Sequence, residues 1–143
     1  MVLLITEPCS GYYDGTDDNI RLEFRNYFES VPRETCTTDY LGKSGDEFVR
    51  GREDRWWGER SLMFCSGQRF RPIAGLDFRF HSNTWGWNPY TDQLKLCKVT
   101  AEFGSPGVTG YSKWQWTGTT TNEHYPDFFN SYSNWNTLIK IAG

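Results

Sequence analysis

An all-β fold, a sandwich or a barrel, is what this sequence predicts, and three observations carry that reading. Aromatic side chains are 17% of the 143 residues, from seven Trp, eight Tyr and ten Phe, and such side chains fit a pleated, half-buried surface. Short segments alternate apolar and charged residues with the period of a strand. No segment combines sustained helical periodicity with credible caps, and Gly, Pro and Ser clusters interrupt the chain at close intervals.

The predicted strands follow in chain order. Ile20–Phe24 (IRLEF) puts apolar residues on one face and charges on the other, as a strand between core and water requires. Leu76–Phe80 (LDFRF) repeats the pattern, with a shorter run at Leu62–Cys65 between them. Turn clusters at 42–45, 66–67 and 74–75 bound these pieces. Leu94–Val99 is a further predicted strand. After Phe103 comes the breaker GSPGVTG, then two more strands, Lys113–Thr117 and Thr137–Ile141, joined by a polar and aromatic connection over 118–136.

The length predicts one domain, 1–143, able to bury a core without a cofactor. A net charge of −3, from 15 basic and 18 acidic residues, and the absence of a Lys/Arg run disfavour nucleic acid. The arginines between Arg50 and Arg71 alternate with Glu53, Asp54 and Glu59 and read as a mixed solvated face. No stretch approaches the ~20 apolar residues of a membrane span. The opening Met1–Ile5 run is too short for a signal peptide; for a secreted chain, a removed leader or an excised domain is expected. Four cysteines without C-x-x-C spacing fit two disulfides better than a zinc site, and hence a secreted, oxidising setting; three connectivities are open.

The most informative segment is Asp14–Asn19 (DGTDDN), directly before the strand at Ile20. A hard divalent cation needs several oxygen ligands, and a Gly-containing acidic turn supplies carboxylates and carbonyls together. Ordinary turn chemistry uses the same residues. Context comes from Gly45–Gly51 (GDEFVRG), followed by Asp54 and the Trp56–Trp57 pair, and from Trp85–Leu96 (WGWNPYTDQLKL).

These three ordered motifs resemble the PLAT domain family, named for polycystin, lipoxygenase and alpha-toxin, over roughly residues 2–103. The resemblance implies an antiparallel two-sheet β-sandwich of four strands each, with calcium held in loops at one end. Residues 104–143 have no counterpart in the family and are expected as a C-terminal β extension packed on that core. Transferred by position, the resemblance makes Gly15 and Thr16 backbone ligands beside Asp14, and Asp17 a carboxylate ligand. Gly45 with Asp46 or Glu47 would reach the same Ca2+ ion, and Asn88 a second position. The sequence departs from the family at Tyr13, where an acidic residue is usual, and at Lys43, where an oxygen ligand is usual. One ion centred on Asp17 and Asp46 is therefore expected. The implied neighbourhood of first and last family strands pairs Cys9–Cys97, leaving Cys36–Cys65 to join the middle strands.

By the resemblance, the function is that of an extracellular, calcium-binding, non-catalytic module contacting an anionic lipid surface or an extracellular protein. Trp85, Trp87 and Tyr90, in a Gly/Asn/Pro-rich loop, either project to an interface or fold back onto the core. An alternative is a lectin-like module that binds glycan with a platform of Trp114, Trp116 and Trp135, the first two sharing one strand face; packing of the tail would also explain these rings. A structural matrix or coat protein is the other alternative. His81 and His124 have no metal or nucleophile spacing, so catalysis is not expected.

Overall fold

The computed structural model describes residues 2–10, 19–26, 35–38, 52–58, 63–65, 72, 75–83, 95–120, 130–131 and 135–143. Among them are β1 (Val2–Pro8), β2 (Asn19–Asn26), β3 (Thr35–Thr38), β4 (Asp54–Gly58), β5 (Met63–Cys65), β6 (Leu76–Asn83), β7 (Leu96–Phe103), β8 (Ser112–Thr117), β9 (Asn130–Ser131) and β10 (Asn136–Ala142), with no helix. Every pairing is antiparallel. The hydrogen-bonded order is β4-β1-β7-β8-β10-β6-β2-β3-β5, with β9 beside β6.

Connectivity forces this sheet to curl. Laid flat, nine strands at ~4.8 Å spacing would hold β4 and β5 about 38 Å apart. Yet β4 ends at Gly58 and β5 begins at Met63, and five peptide units reach at most ~18 Å. The two edges must therefore approach each other. Hydrogen bonding thus traces one curled sheet, a half-barrel, where two separate four-stranded sheets were expected.

Its two halves face one another across a single core. Leu4, Trp56, Val99, Ala101, Phe103 and Trp114 come from β4-β1-β7-β8, and Leu22, Phe24, Cys36, Leu76, Phe78 and Leu138 from the other side. The Phe78 ring meets the Trp116 ring edge-on at 5.2 Å, directly across the gap. The alternation seen in the sequence explains the faces. Leu22 and Phe24 are fully buried, as are Leu76 and Phe78, while the residues between them face outward. Burying each such side chain contributes about 1.5–3 kcal/mol.

Arg52 and Arg55 are exposed, as a mixed solvated face requires, whereas Trp56 in the same stretch turns into the core. Arg55 pairs with Glu53 at 2.9 Å in largely exposed surroundings, but Trp56 between them and the strand end is 4% exposed. Its indole N–H donates to the fully buried Thr6 hydroxyl at 3.2 Å, which satisfies both groups.

The residues after 103 are integral to the sheet rather than laid on it. β8 pairs with β7 along its length, and β10 pairs with β6 through Asn136–Leu138 and with β8 from Ile139 onward. Ending the chain at Phe103 would leave β4-β1-β7 and β6-β2-β3-β5 with no strand between them. Such a truncation is expected to show no cooperative thermal transition by circular dichroism, whereas an independently folded 2–103 core would keep one.

At the β7–β8 hairpin, Val108 N–H donates to the Ser105 carbonyl and Tyr111 N–H to the Val108 carbonyl. Gly104 and Gly107 hold φ of 83° and 82°, which favours glycine. The Tyr111 hydroxyl donates to Glu102 Oε1 at 2.6 Å. That hydrogen bond, then desolvation, then the Glu102 charge raise the phenol above its ordinary value. A folded value above the unfolded value of about 10 means that the neutral phenol stabilises the fold below pH 10, and the contribution disappears as pH rises through the folded value. Ultraviolet titration of Tyr111→Phe should therefore lack one tyrosine that ionises above the ordinary phenol range, and the variant's stability deficit should shrink at strongly alkaline pH.

Candidate functional site

Strand polarity selects one end of the molecule. β1 finishes and β7 begins there, with Cys9 N–H donating to the Lys95 carbonyl at 2.8 Å. The Cys9–Cys97 disulfide locks the same point, with Cα atoms 5.0 Å apart. Across the fold, β2 begins opposite the end of β6, in the pair Asn19↔Asn83. β3 ends beside them, where Leu22 N–H donates to Thr38 Oγ1 at 2.8 Å. β4 starts at Asp54 opposite Thr6, near the end of β1.

A consequence follows for the connections. Residues 9–18 join β1 to β2, residues 39–53 join β3 to β4, and residues 84–95 join β6 to β7. Each leaves one half of the sheet and returns in the other, at this same end. Residues 118–129 do likewise: Thr120 exchanges hydrogen bonds with Leu96 through backbone and hydroxyl, and β9 then pairs with His81 and Ser82 at the end of β6. The first three connections carry the acidic turn, the Gly45–Glu47 segment and the aromatic segment.

The predicted calcium ligands Asp14, Gly15, Thr16, Asp17, Gly45, Asp46, Glu47 and Asn88 lie outside the described residues, as do Trp85, Trp87 and Tyr90. Among the described residues, no group of three or more His, Cys, Asp or Glu is placed to hold an ion. The strand ends that bracket the acidic turn and the aromatic segment are neighbours at both ends, through Cys9–Cys97 and Asn19↔Asn83. Cys36 is disulfide-bonded, and Cys65 stands directly opposite it in the β3–β5 register.

Trp114 corrects the sugar-platform expectation. It is 3% exposed and its indole N–H donates to Ser112 Oγ at 3.0 Å, so no ring face is open to a sugar. Trp116 shares that face, as the alternation implies, and packs partly buried against the same core.

A cluster not anticipated from the sequence lies on the outer face of β2 and β6. Arg25 pairs with Asp77 at 3.0 Å and Arg79 with Glu23 at 3.1 Å. Asp77, 2% exposed, also accepts from Thr137 Oγ1 at 2.8 Å. Both guanidinium groups lie over the Trp135 ring, 4.0 and 4.4 Å from its centroid. Two cations against one ring draw on its quadrupole, while the carboxylates neutralise the charge. The arrangement fastens the approach to β10 onto β6 and β2, a structural task.

No protein-family model matches the chain, and no curated protein matches it.

The Trp135 cluster is open to direct measurement. Trp135→Leu keeps apolar bulk but removes both cation–π contacts, so denaturant melts should show a loss of about 1–2 kcal/mol. An unchanged midpoint would mean that the two ion pairs alone hold this face.

Proposed function

We propose that this chain is an extracellular, calcium-assisted, non-catalytic binding module of PLAT type, whose target is an anionic lipid surface or an extracellular protein. The observation that carries the reading is the shared bracketing of two segments. The acidic turn and the aromatic segment each run between the Cys9–Cys97 point and the Asn19–Asn83 point, so their ends are held side by side. Calcium requires oxygens from more than one short segment, and this topology gives Asp14–Asp17, Gly45–Glu47 and Asn88 a common starting end. The facing halves of the curled sheet, with one core between them, support a sandwich of PLAT type. The opposed Cys36 and Cys65 support their pairing as the second disulfide, consistent with an oxidising compartment.

Binding then follows from charge and surface chemistry. An ion held at that end would bridge protein oxygens to an anionic headgroup or a carboxylate, and Trp85, Trp87 and Tyr90 would supply ring surface beside it. A sugar platform on Trp114 is disfavoured by that residue's burial.

Titration calorimetry of the full chain with calcium chloride is expected to show saturable uptake that Asp17→Asn weakens at least about tenfold, as loss of one charged ligand implies. Adding calcium should also increase sedimentation with phosphatidylserine vesicles, and Trp87→Ala should remove that increment. Absence of calcium uptake would dismiss the reading; uptake without a vesicle increment would leave an extracellular protein as the target.

A further inference from the structure

The Cys9–Cys97 bridge joins two strands that already hold each other. β1 pairs with β7 from Val2↔Phe103 to Glu7↔Lys98, and with β4 on its other side, while Leu4, Val99 and Ala101 share the core. Between Glu7 and Pro8 the register shifts, and Pro8 has no N–H to donate. Past that point the junction continues through the Cys9 N–H to Lys95 carbonyl bond at 2.8 Å and through the disulfide. The bridge therefore reinforces the end of the ladder, where Pro8 and the register shift interrupt it, and its loss leaves the body of the sheet paired.

Its two ends are anchored unequally. The start of β7 is also tied to the connection after β8: Gly118 N–H donates to the Cys97 carbonyl and Thr120 N–H to the Leu96 carbonyl, both at 3.1 Å, and Leu96 N–H donates to Thr120 Oγ1 at 2.9 Å. Opening the bridge thus releases Cys9 and leaves Cys97 in place.

Access differs as well. Cys36, which is also disulfide-bonded, is 1% exposed within the core cluster. Cys97 is partly exposed, its Sγ lying 3.9 Å from Oγ1 of the exposed Thr119. Exchange requires a thiolate to reach a sulfur, so an accessible bridge opens before a buried one. We propose that Cys9–Cys97 is a thiol-operated clasp, opened by small thiols in the folded chain while the Cys36 bridge stays closed, that sets how firmly the connection starting at Cys9 is held. A small thiolate attacks Cys97 Sγ, the sulfur–sulfur bond breaks, and Cys9 leaves as a thiolate that takes a proton from water. A second small thiolate attacks the small-thiol sulfur of the mixed disulfide, and Cys97 leaves beside the Thr119 hydroxyl and is protonated in turn. Two small thiols are thereby oxidised to one small disulfide, and the protein bridge takes up their two electrons and two protons as two thiols.

The connection released at Cys9 carries Asp14–Asp17, so the consequence for calcium rests on the function proposed above, whereas the clasp itself does not. The test exposes the full chain, without calcium, to graded reduced glutathione, followed by iodoacetamide and peptide mass mapping. Cys9 and Cys97 are expected to be alkylated at thiol concentrations about tenfold or more below those that label Cys36, with the near-ultraviolet circular dichroism of the fold retained. In that window hydrogen exchange at the Cys9 amide should quicken about tenfold, while the Leu96 and Thr120 amides stay protected. Calcium chloride should bind the selectively reduced chain about tenfold more weakly than the oxidised chain. Labelling of all the cysteines in one step with loss of the fold would overturn the proposal, as would unchanged exchange at Cys9 or an unchanged calcium affinity after selective opening. Absence of calcium uptake by the oxidised chain would dismiss the calcium reading alone, leaving labelling and exchange to decide the clasp.

Discussion

β10 divides its hydrogen bonds between two neighbours, and much of the architecture follows from that division. Through Leu138 it belongs with β6, and from Ile139 it belongs with β8. A strand that changes partners is how a twisted sheet turns a corner, and here it is the described strand that joins the two halves of the order. The same change has a cost. β6 begins at Leu76, so beyond Leu138 the β6 side of β10 has no pairing partner among the described residues. Ile139, opposite Gln115 on the outer face, stands exposed beyond that change of partner.

The opposite end is shaped by a different constraint. Four connections cross between the halves there, while the β7–β8 hairpin, at the other end of the sheet, stays within one half. A crossing segment must span the distance between the two halves rather than a single strand spacing. The disulfide at Cys9–Cys97 closes a chain loop with a sequence separation of 88, which in the chain-entropy account stabilises by about 4–5 kcal/mol. Its position matters as well, because it ties the start of one crossing segment to the finish of another.

The sequence revealed strands wherever a single face is buried. Ile20–Phe24, Leu76–Phe80, Lys113–Thr117 and Thr137–Ile141 all lie within observed strands. β1 escaped notice because it is flanked by β4 and β7 and both Leu3 and Leu4 are buried, which erases alternation. β4 was hidden by its charged neighbours. Alternation placed Trp114 and Trp116 on one face but could not say which face meets the core. The place of β8 and β10 between β7 and β6 depends on pairing between residues distant in sequence, and the Trp135 cluster needs two such registers at once. The Cys9–Cys97 pair was legible only through a family resemblance that implied neighbouring strands; spacing left three connectivities open.

How the loop-bearing end keeps its strand termini in place is answered by threonines. A curled sheet leaves backbone N–H groups unpaired where strands begin, and a buried unpaired donor costs about 1–3 kcal/mol. Within β2, where its pairing with β3 runs out, the Leu22 N–H finds Thr38 Oγ1, and at the start of β7 the Leu96 N–H finds Thr120 Oγ1. Thr38 and Thr120 are 1% and 2% exposed, so neither bond competes with water. Each ties a strand to a different strand or connection, giving the crossing segments fixed points of departure. A ligand site assembled from short segments needs such pre-organised supports, because any freedom at the base would be multiplied along the segment. In this fold that rigidity is set by side-chain hydroxyls at the strand ends from which the crossing segments depart.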